Sequence, residues 1–365
     1  MAALAYNQEG AAAHEAISGK EIRGIGDVEE TVIEGVSRYS YGGIRVYRIP
    51  VESFPNHVTN VYLLVGGEPT LVDVGFNSET GRNDLERGFA VVCQGFGERV
   101  SLESVSNVVI THGHGDHFGM LEHPRLKGKR LFMSPPDTEV VREYQTEYQE
   151  WKQYVAKLAQ EAGCQVDLDQ LFGHDRLAFD GSDYQLIEVH DQQEIIGSGT
   201  VHHTPGHSPG HICLGCGPFL FLGDHLLSLT TPHQVPKSGW GGAGLRVYLD
   251  SLAKVARLGY ALGLPAHEEV ITSIEHRAKE VALFHQQRLA ELHYLCRQEK
   301  SLYELTRDYY ARHPELIQAS SIDELVAGDF VLALEEIKAH VEYLLDEGRL
   351  LMVGGESGVP RYRSR

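Results

Sequence analysis

Thr111-His112-Gly113-His114-Gly115-Asp116-His117 places three imidazoles and a carboxylate in six consecutive residues, His112 to His117, directly after the apolar run Val108-Val109-Ile110. Histidine and aspartate bind zinc and harder divalent ions through nitrogen and oxygen. His112 and His114 stand two apart on extended chain and so project to the same side. Gly113 and Gly115 let the loop turn tightly enough to bring Asp116 and His117 round to the same point. Two metal ions can use all four side chains, whereas one ion seldom could.

Three further stretches follow in order. His203-Thr204-Pro205-Gly206-His207-Ser208-Pro209-Gly210-His211 presents a histidine on a loop built of proline and glycine. Phe219-Leu220-Phe221-Leu222-Gly223-Asp224-His225 is an apolar run ending in a carboxylate, and Leu264-Pro265-Ala266-His267-Glu268 ends a short apolar run in a histidine. Each candidate ligand lies where a strand stops and a loop begins, the edge of a sheet where sites are usually assembled.

From Ile44 to Ile271 this order of motifs resembles the metallo-β-lactamase superfamily of hydrolases. The resemblance implies an α+β fold, a four-layer αββα sandwich. It implies His112, His114 and His207 as terminal ligands of one metal ion, Asp116, His117 and His267 as those of a second, and Asp224 as the carboxylate bridging both. The cofactor implied is a pair of zinc ions, with iron or manganese compatible because two carboxylates harden the site. The chemistry implied is hydrolysis by a hydroxide held between the ions, with Asp116 orienting the nucleophile and accepting its proton. No covalent enzyme intermediate is expected.

Other residues are expected in supporting or substrate-contacting roles. Asp73 resembles the family's strand-end aspartate that braces the histidine loop. His211 flanks His207 and is a candidate to orient a ligand. His225 follows Asp224 and should face the other way on a strand. Trp240 lies in a glycine-rich loop, 238–242, just past Asp224. Glu268 stands where the family commonly has glycine, and is expected to place an extra carboxylate near the mouth of the site.

The elements that must position these groups are legible in outline. Residues 1–42 read as a weakly patterned N-terminal extension, 43–280 as the catalytic domain, and 281–365 as a C-terminal domain. Strands are expected at 44–49, 61–65 and 70–74, with a turn at Gly66-Gly67-Glu68-Pro69. Asn83 to Phe96 reads as a helix. Pro135 to Phe172 reads as a helical insert, with Val140, Val141, Tyr144, Tyr148, Trp151, Val155 and Leu158 at helical spacing. That stripe is expected to pack on the sandwich, with a lid or pocket wall as the functional alternative. Helices at 275–297, 301–312 and 329–346 and a terminal hairpin resemble the winged-helix-like tail of one branch of the superfamily. The Cys213-x-x-Cys216 pair is read as a turn rather than a zinc or redox site.

Composition narrows the function. The chain has 365 residues, with 32 Lys and Arg against 51 Asp and Glu, a formal charge of −19. Binding to phosphate backbones rests on excess Lys and Arg, so a nucleic-acid partner is disfavoured, as is an anionic membrane. The tail from Gln286 to Arg365 carries 10 basic and 14 acidic residues, unlike a DNA-reading module. Packing on the catalytic domain, or a homodimer contact, suits it better. The five scattered cysteines form no disulfide framework, and neither a signal peptide nor a membrane-length apolar run is visible, so a cytoplasmic location is expected. The leading expectation is a dinuclear hydrolase of a small-molecule thioester or ester, glyoxalase II-like or acyl-CoA thioesterase-like. Alternatives are a lactonase or carboxylesterase, a lactamase-like endoribonuclease or phosphodiesterase, a non-catalytic binding protein, and a mononuclear-iron persulfide dioxygenase.

Overall fold

The computed structural model describes residues 21–25, 28–171, 179, 181–197, 199–317, 319–355 and 358–365. A nine-stranded sheet comprises β1 (Glu21–Ile25), β2 (Val28–Ile33), β3 (Val36–Tyr41), β4 (Ile44–Phe54), β5 (His57–Val65), β6 (Thr70–Val72), β7 (Asn107–Val109), β8 (Arg130–Met133) and β9 (Gln185–Glu188), side by side in that order. Pairing is antiparallel from β1 to β6 and parallel from β6 to β9. The second sheet holds β10 (Glu194–Ile195), β11 (Gly199–His203), β12 (Ile212–Cys216), β13 (Phe219–Gly223) and β14 (Leu262–Pro265).

Strand alternation builds the layers, because successive side chains point to opposite faces. On β13, Phe219 and Phe221 join Val46, Tyr62 and Val109 of the first sheet in the core between the sheets. Leu220 and Leu222 face the helices instead. On β4, Tyr47, Ile49 and Val51 face α1 (Glu79–Gln94) across the outer core of the first sheet. The result is the α/β/β/α layering expected from the motifs.

The helices are α2 (Gly115–Phe118), α3 (Pro135–Arg142), α4 (Tyr144–Ala162), α5 (Leu245–Val255), α6 (Ile274–Leu295), α7 (Leu302–Tyr310) and α8 (Ala327–Asp346), and the chain ends in a hairpin of β15 (Leu350–Gly354) and β16 (Pro360–Ser364). One apolar cluster runs from Leu220, Leu222 and Leu252 of the sandwich through Val281 and Leu292 of α6 to Leu334, Ile337 and Val341 of α8. Apart from its ends α8 is buried along nearly its whole length.

Three features differ from the sequence reading. Residues 28–41, assigned there to an extension, are strands β2 and β3 of the main sheet. Their hairpins turn at Glu34-Gly35 and Gly42-Gly43, all four residues with positive φ, the conformation two-residue hairpins favour. The boundary drawn at residue 280 falls inside the unbroken helix α6, and the shared core leaves no gap there. Cys213 and Cys216 are on strand β12, not in a turn; three residues apart on a strand they face opposite sides, Cys213 toward the helices and Cys216 between the sheets. They therefore cannot share one ion.

Gly206 shows how tightly the loop before His207 is seated on α5. At φ +138°, a β-carbon there would sit 2.4 Å from the Tyr248 Cα and 2.6 Å from its nitrogen. Backbone cannot yield as a flexible side chain can. Gly206→Ala is expected to destabilise the fold by about 2–3 kcal/mol, measured as a lower urea midpoint with unchanged slope.

Candidate metal centre

The donors converge where the ends of the two sheets meet. Asn60 on β5 donates from its backbone nitrogen to the Ala266 carbonyl at 2.6 Å, and its side chain donates to Pro265 and Glu268 carbonyls at 3.1 and 2.9 Å. Tyr62 Oη donates to the Pro265 carbonyl at 2.7 Å. These bonds pin the strand end that carries His267 to the sheet that carries His112, His114, Asp116 and His117.

Two buried carboxylates hold the loops. Asp73, just past β6 with φ +57°, accepts from the Thr111 nitrogen at 2.8 Å, the Thr111 hydroxyl at 2.9 Å and His117 Nδ1 at 2.9 Å. These bonds tie the Thr111–His117 loop to the end of β6. Asp137, in the first turn of α3, accepts from the Gly113 nitrogen at 2.8 Å, the Ser208 hydroxyl at 2.6 Å and the Gly210 nitrogen at 2.6 Å. It thus ties the His112–His117 loop to the His207 loop. Burial pushes the Asp137 carboxyl up, opposed by its three donors. Sequence reasoning saw Asp137 only as part of a helix start, because its partners lie 24, 71 and 73 residues away.

Outward hydrogen bonds fix the tautomers and leave bare nitrogens facing inward. The Thr111 hydroxyl is already donating to Asp73, so it accepts from His112 Nδ1 at 3.1 Å. His117 Nδ1 donates to Asp73, His207 Nδ1 to the His233 carbonyl at 3.0 Å, and His267 Nδ1 to the Val58 carbonyl at 2.7 Å. The Nε2 atoms of all four are therefore free to act as donors to an ion. His112 Nε2 and His207 Nε2 lie 2.8 and 3.0 Å from His114 Nδ1. On the other side, His117 Nε2 and His267 Nε2 lie 3.5 and 3.2 Å from Asp224 Oδ1.

Asp224 stands between the two groups. Its Oδ1 faces His117 and His267, and its Oδ2 lies 3.6 Å from His207 Nε2 and 4.0 Å from His112 Nε2. Asp116 offers Oδ1 at 3.8 Å from His117 Nε2 and Oδ2 at 3.5 Å from His267 Nε2. His117 Nε2, His267 Nε2 and Asp224 Oδ1 are shielded from solvent without a hydrogen-bond partner. Such orphaned donors to a cation, clustered with ligand atoms within 4.8 Å of one another, fit divalent ions on both sides of Asp224.

Electrostatics agree. Burial, with neighbouring imidazoles, holds His112 and His114 well below the usual histidine range, so both stay neutral and able to ligate. Burial opposes charge on His117 and His267, yet the Asp224 and Asp116 carboxylates outweigh it and raise both. Burial opposes ionisation of Asp116 and Asp224 too, but adjacent imidazoles hold both well below the normal carboxylate range. The second group of donors thus attracts positive charge, whether a proton or a metal ion.

The remaining candidates separate by geometry. His211 accepts from the Asp224 backbone nitrogen at 3.2 Å and donates from Nδ1 to Thr204 at 2.8 Å, so it steadies Asp224. His225 is fully buried beside Tyr248, whose hydroxyl donates to its carbonyl at 3.0 Å. Trp240 sits with its ring 6.1 Å from that of His114. Glu268 differs from expectation. Its carboxylate turns away to bind the segment after Asp224, accepting from the Ser228 hydroxyl, the Leu229 and Thr230 nitrogens and the Thr230 hydroxyl. Its φ of +66° lies in the left-handed region that favours glycine.

His57 was missed. It sits at the β4–β5 turn, half-buried, with Nε2 3.0 Å from Asp116 Oδ2 and its ring 4.3 Å from that of His267. Nothing in its local pattern, Phe54-Pro55-Asn56-His57, marks it beyond a turn; only sheet packing brings it to the site. Gly206-His207-Ser208-Pro209-Gly210 matches a serine-nucleophile string by letter. Ser208, however, is buried and donates to Asp137, so its hydroxyl is part of the loop tether and not an activated nucleophile.

Comparison with known proteins places this arrangement. The model of the metallo-β-lactamase superfamily matches residues 55–267, and the chain belongs to that superfamily. A probable metallo-hydrolase, YqjP, of Bacillus subtilis is 28% identical over 227 residues, 59% of this chain and 68% of that protein. The lactamase-like protein aptB of Emericella nidulans is 23% identical over 250 residues, 67% of this chain and 62% of that protein. Among solved structures, the metallo-β-lactamase family protein TTHA1429 of Thermus thermophilus superposes with a TM-score of 0.70 at 24% identity, covering 88% of this chain and 98% of that one. A β-lactamase domain protein of Burkholderia ambifaria gives the same score and identity, covering 89% and 93%. Those two likenesses reach into the C-terminal helical region and concern the fold. The chain is a metallo-hydrolase of this superfamily.

Two outcomes follow from the tethers. Asp137→Asn cannot accept from all three donors, and should cost about 2 kcal/mol and lower the affinity for metal; unchanged metal content and unfolding midpoint would refute the tether. Glu268→Gly should retain metal but speed hydrogen exchange at the Leu229 and Thr230 amides. Unaltered exchange there would show that the clamp is not formed in solution.

Proposed function

We propose that the protein is a dinuclear metal-dependent hydrolase of a small-molecule ester or thioester. The observation that carries this reading is Asp224, whose two oxygens face separate groups of bare imidazole nitrogens. In this assignment His112, His114 and His207 hold one ion, Asp116, His117 and His267 the other, and Asp224 bridges them. The nitrogen and oxygen donors, with no cysteine among them, suit zinc, and iron or manganese are compatible. When bound, the ions would acidify a water and polarise the carbonyl to be attacked.

The chain's own groups do the rest. Asp116 orients the water and takes its proton, with His57 steadying the carboxylate from outside at 3.0 Å. His211 holds the Asp224 backbone so that the bridging carboxylate keeps its aim. Trp240 beside His114 gives the substrate an aromatic wall on the first-ion side. Tyr144, next to Phe118 of the metal loop at 5.2 Å between ring centres, begins a row with Tyr148 and Trp151 along α4 that supplies another. These apolar walls support an acyl or aromatic substrate arm. The formal charge of −19 speaks against nucleic acid as substrate. Among the described residues no helix is long and apolar enough to cross a membrane, and we propose that the protein works in the cytoplasm on a diffusible substrate.

The test is release of thiol or acid from a panel of glutathione thioesters, acyl-CoA thioesters, lactones and aryl esters, with Asp224→Ala alongside. The parent should turn over at least one thioester or ester and Asp224→Ala none, with metal content falling in the variant. Activity preserved in Asp224→Ala would refute the bridging assignment. Silence across the panel with full metal content would refute the substrate class.

A further inference from the structure

Behind the metal centre lies a buried ionic network that the hydrolytic mechanism does not use. The segment between β13 and α5, residues 233–238, is strapped along one face of α8 by a row of acidic side chains. His233 Nε2 lies 3.2 Å from Glu335 Oε2 and His233 Nδ1 3.4 Å from Glu336 Oε2. The Gln234 nitrogen donates to Glu336 at 2.8 Å, the Ser238 nitrogen to Glu342 at 3.4 Å, and Lys237 Nζ to Asp346 at 2.6 Å. Arg288 of α6 closes the network, donating to Glu336 and, at 3.0 Å, to the Tyr309 hydroxyl. His233, Glu335, Glu336 and Arg288 are all buried.

Burying these charges is costly, and a hydrophobic alternative is often as stable or more so. The network therefore calls for a reason beyond stability. It is not a third metal site, although His285, Glu336 and His340 bring ligand atoms close enough for one. Glu336 is already claimed by Arg288, His233 and Gln234, and His340 donates from Nδ1 to the Glu336 carbonyl while its Nε2 accepts from His285. A cation would have to displace the guanidinium.

The reason lies at the other end of His233. Its ring is gripped by α8, and its backbone carbonyl accepts from His207 Nδ1 at 3.0 Å. That bond is what leaves His207 Nε2 bare and aimed at His114 and Asp224. We propose that α8 is a working part of the metal centre: Glu335 and Glu336 set the position of the His233 carbonyl, which fixes the tautomer and aim of His207. Glu335, Glu336 and His233 are positioning residues. The grip extends to the pocket wall, because Glu335 also accepts from Trp151 Nε1 at 3.4 Å. The C-terminal helices thus couple to the site through one imidazole ring and one carbonyl.

This inference rests on the reading of His112, His114 and His207 as the donors of one ion. The test titrates cobalt(II) into the full-length, metal-stripped protein, following visible absorption and bound stoichiometry. The parent should take up two ions. Glu335→Gln and His233→Gln, both close in size to the originals, should bind one of the two roughly 10–100-fold more weakly, with its absorption band shifted and the other ion retained. Lys338→Met removes a different, half-buried pair on α8, the 2.6 Å bridge to Glu161, and should bind both ions like the parent. Parental affinity and spectrum in Glu335→Gln and His233→Gln would overturn the proposal. Equal weakening in Lys338→Met would overturn it too, since α8 would then act through general looseness. A parent that binds no cobalt would refute the metal-centre reading itself, a result separate from either of these.

Discussion

Several imidazoles and two carboxylates, largely out of water and each with a neighbour in the group at about 4 Å or less, are tolerable only if their protons are assigned. Inward nitrogens must be bare, and for four of the imidazoles an acceptor on the outer nitrogen makes them so. Thr111 serves His112, Asp73 serves His117, and backbone carbonyls of Val58 and His233 serve His267 and His207. Leaving a buried polar atom unpaired costs about 1–3 kcal/mol, and His117 Nε2, His267 Nε2 and Asp224 Oδ1 are all in that condition. A cation relieves all three. The sandwich around the site is extensively packed, with apolar clusters on both outer faces and between the sheets.

The acceptors come from everywhere in the fold. Asp73 ends a strand of the first sheet, Val58 begins another, and the His233 carbonyl belongs to a loop gripped by α8. The two loops carrying His112–His117 and His207 meet through a single carboxylate, Asp137, at the start of α3. The helices after β8 therefore do more than cover a sheet: α3 ties the two donor loops together, α4 packs Tyr144 against Phe118 of the metal loop, and α8 holds the ring behind His207. That distribution explains why the C-terminal helices share one core with the catalytic sandwich instead of forming a separable unit.

Much of this was legible in the residue order. His-x-His-x-Asp-His after an apolar run, a histidine on a proline–glycine loop, and strand-end Asp224 and His267 all lie at strand ends facing one point, because strand ends in such a sandwich share an edge. The strands from Ile44 and most helices were readable from alternation and helical spacing. The strands of residues 28–41 were not, since Glu29, Glu30, Arg38 and Ser40 dilute the apolar pattern; the Glu34-Gly35 and Gly42-Gly43 turns were the signal available. Cys213 and Cys216 misled because spacing alone cannot tell a turn from a strand, and a strand sends them to opposite faces.

Types and spacing of donors, through the resemblance they carry, therefore pointed to the family and the fold class and picked out side chains that the fold brings together. They could not specify partners that are remote in sequence. Asp137 reaching Gly113, Ser208 and Gly210, His57 arriving at Asp116, Glu268 turning from the pocket to clamp residues 228–230, and Glu335 and Glu336 closing on His233 all depend on how sheets and helices stack. Such contacts join residues tens to more than a hundred positions apart, and no local periodicity records them. The candidate donors were visible along the chain; the groups that orient them became visible once it was folded.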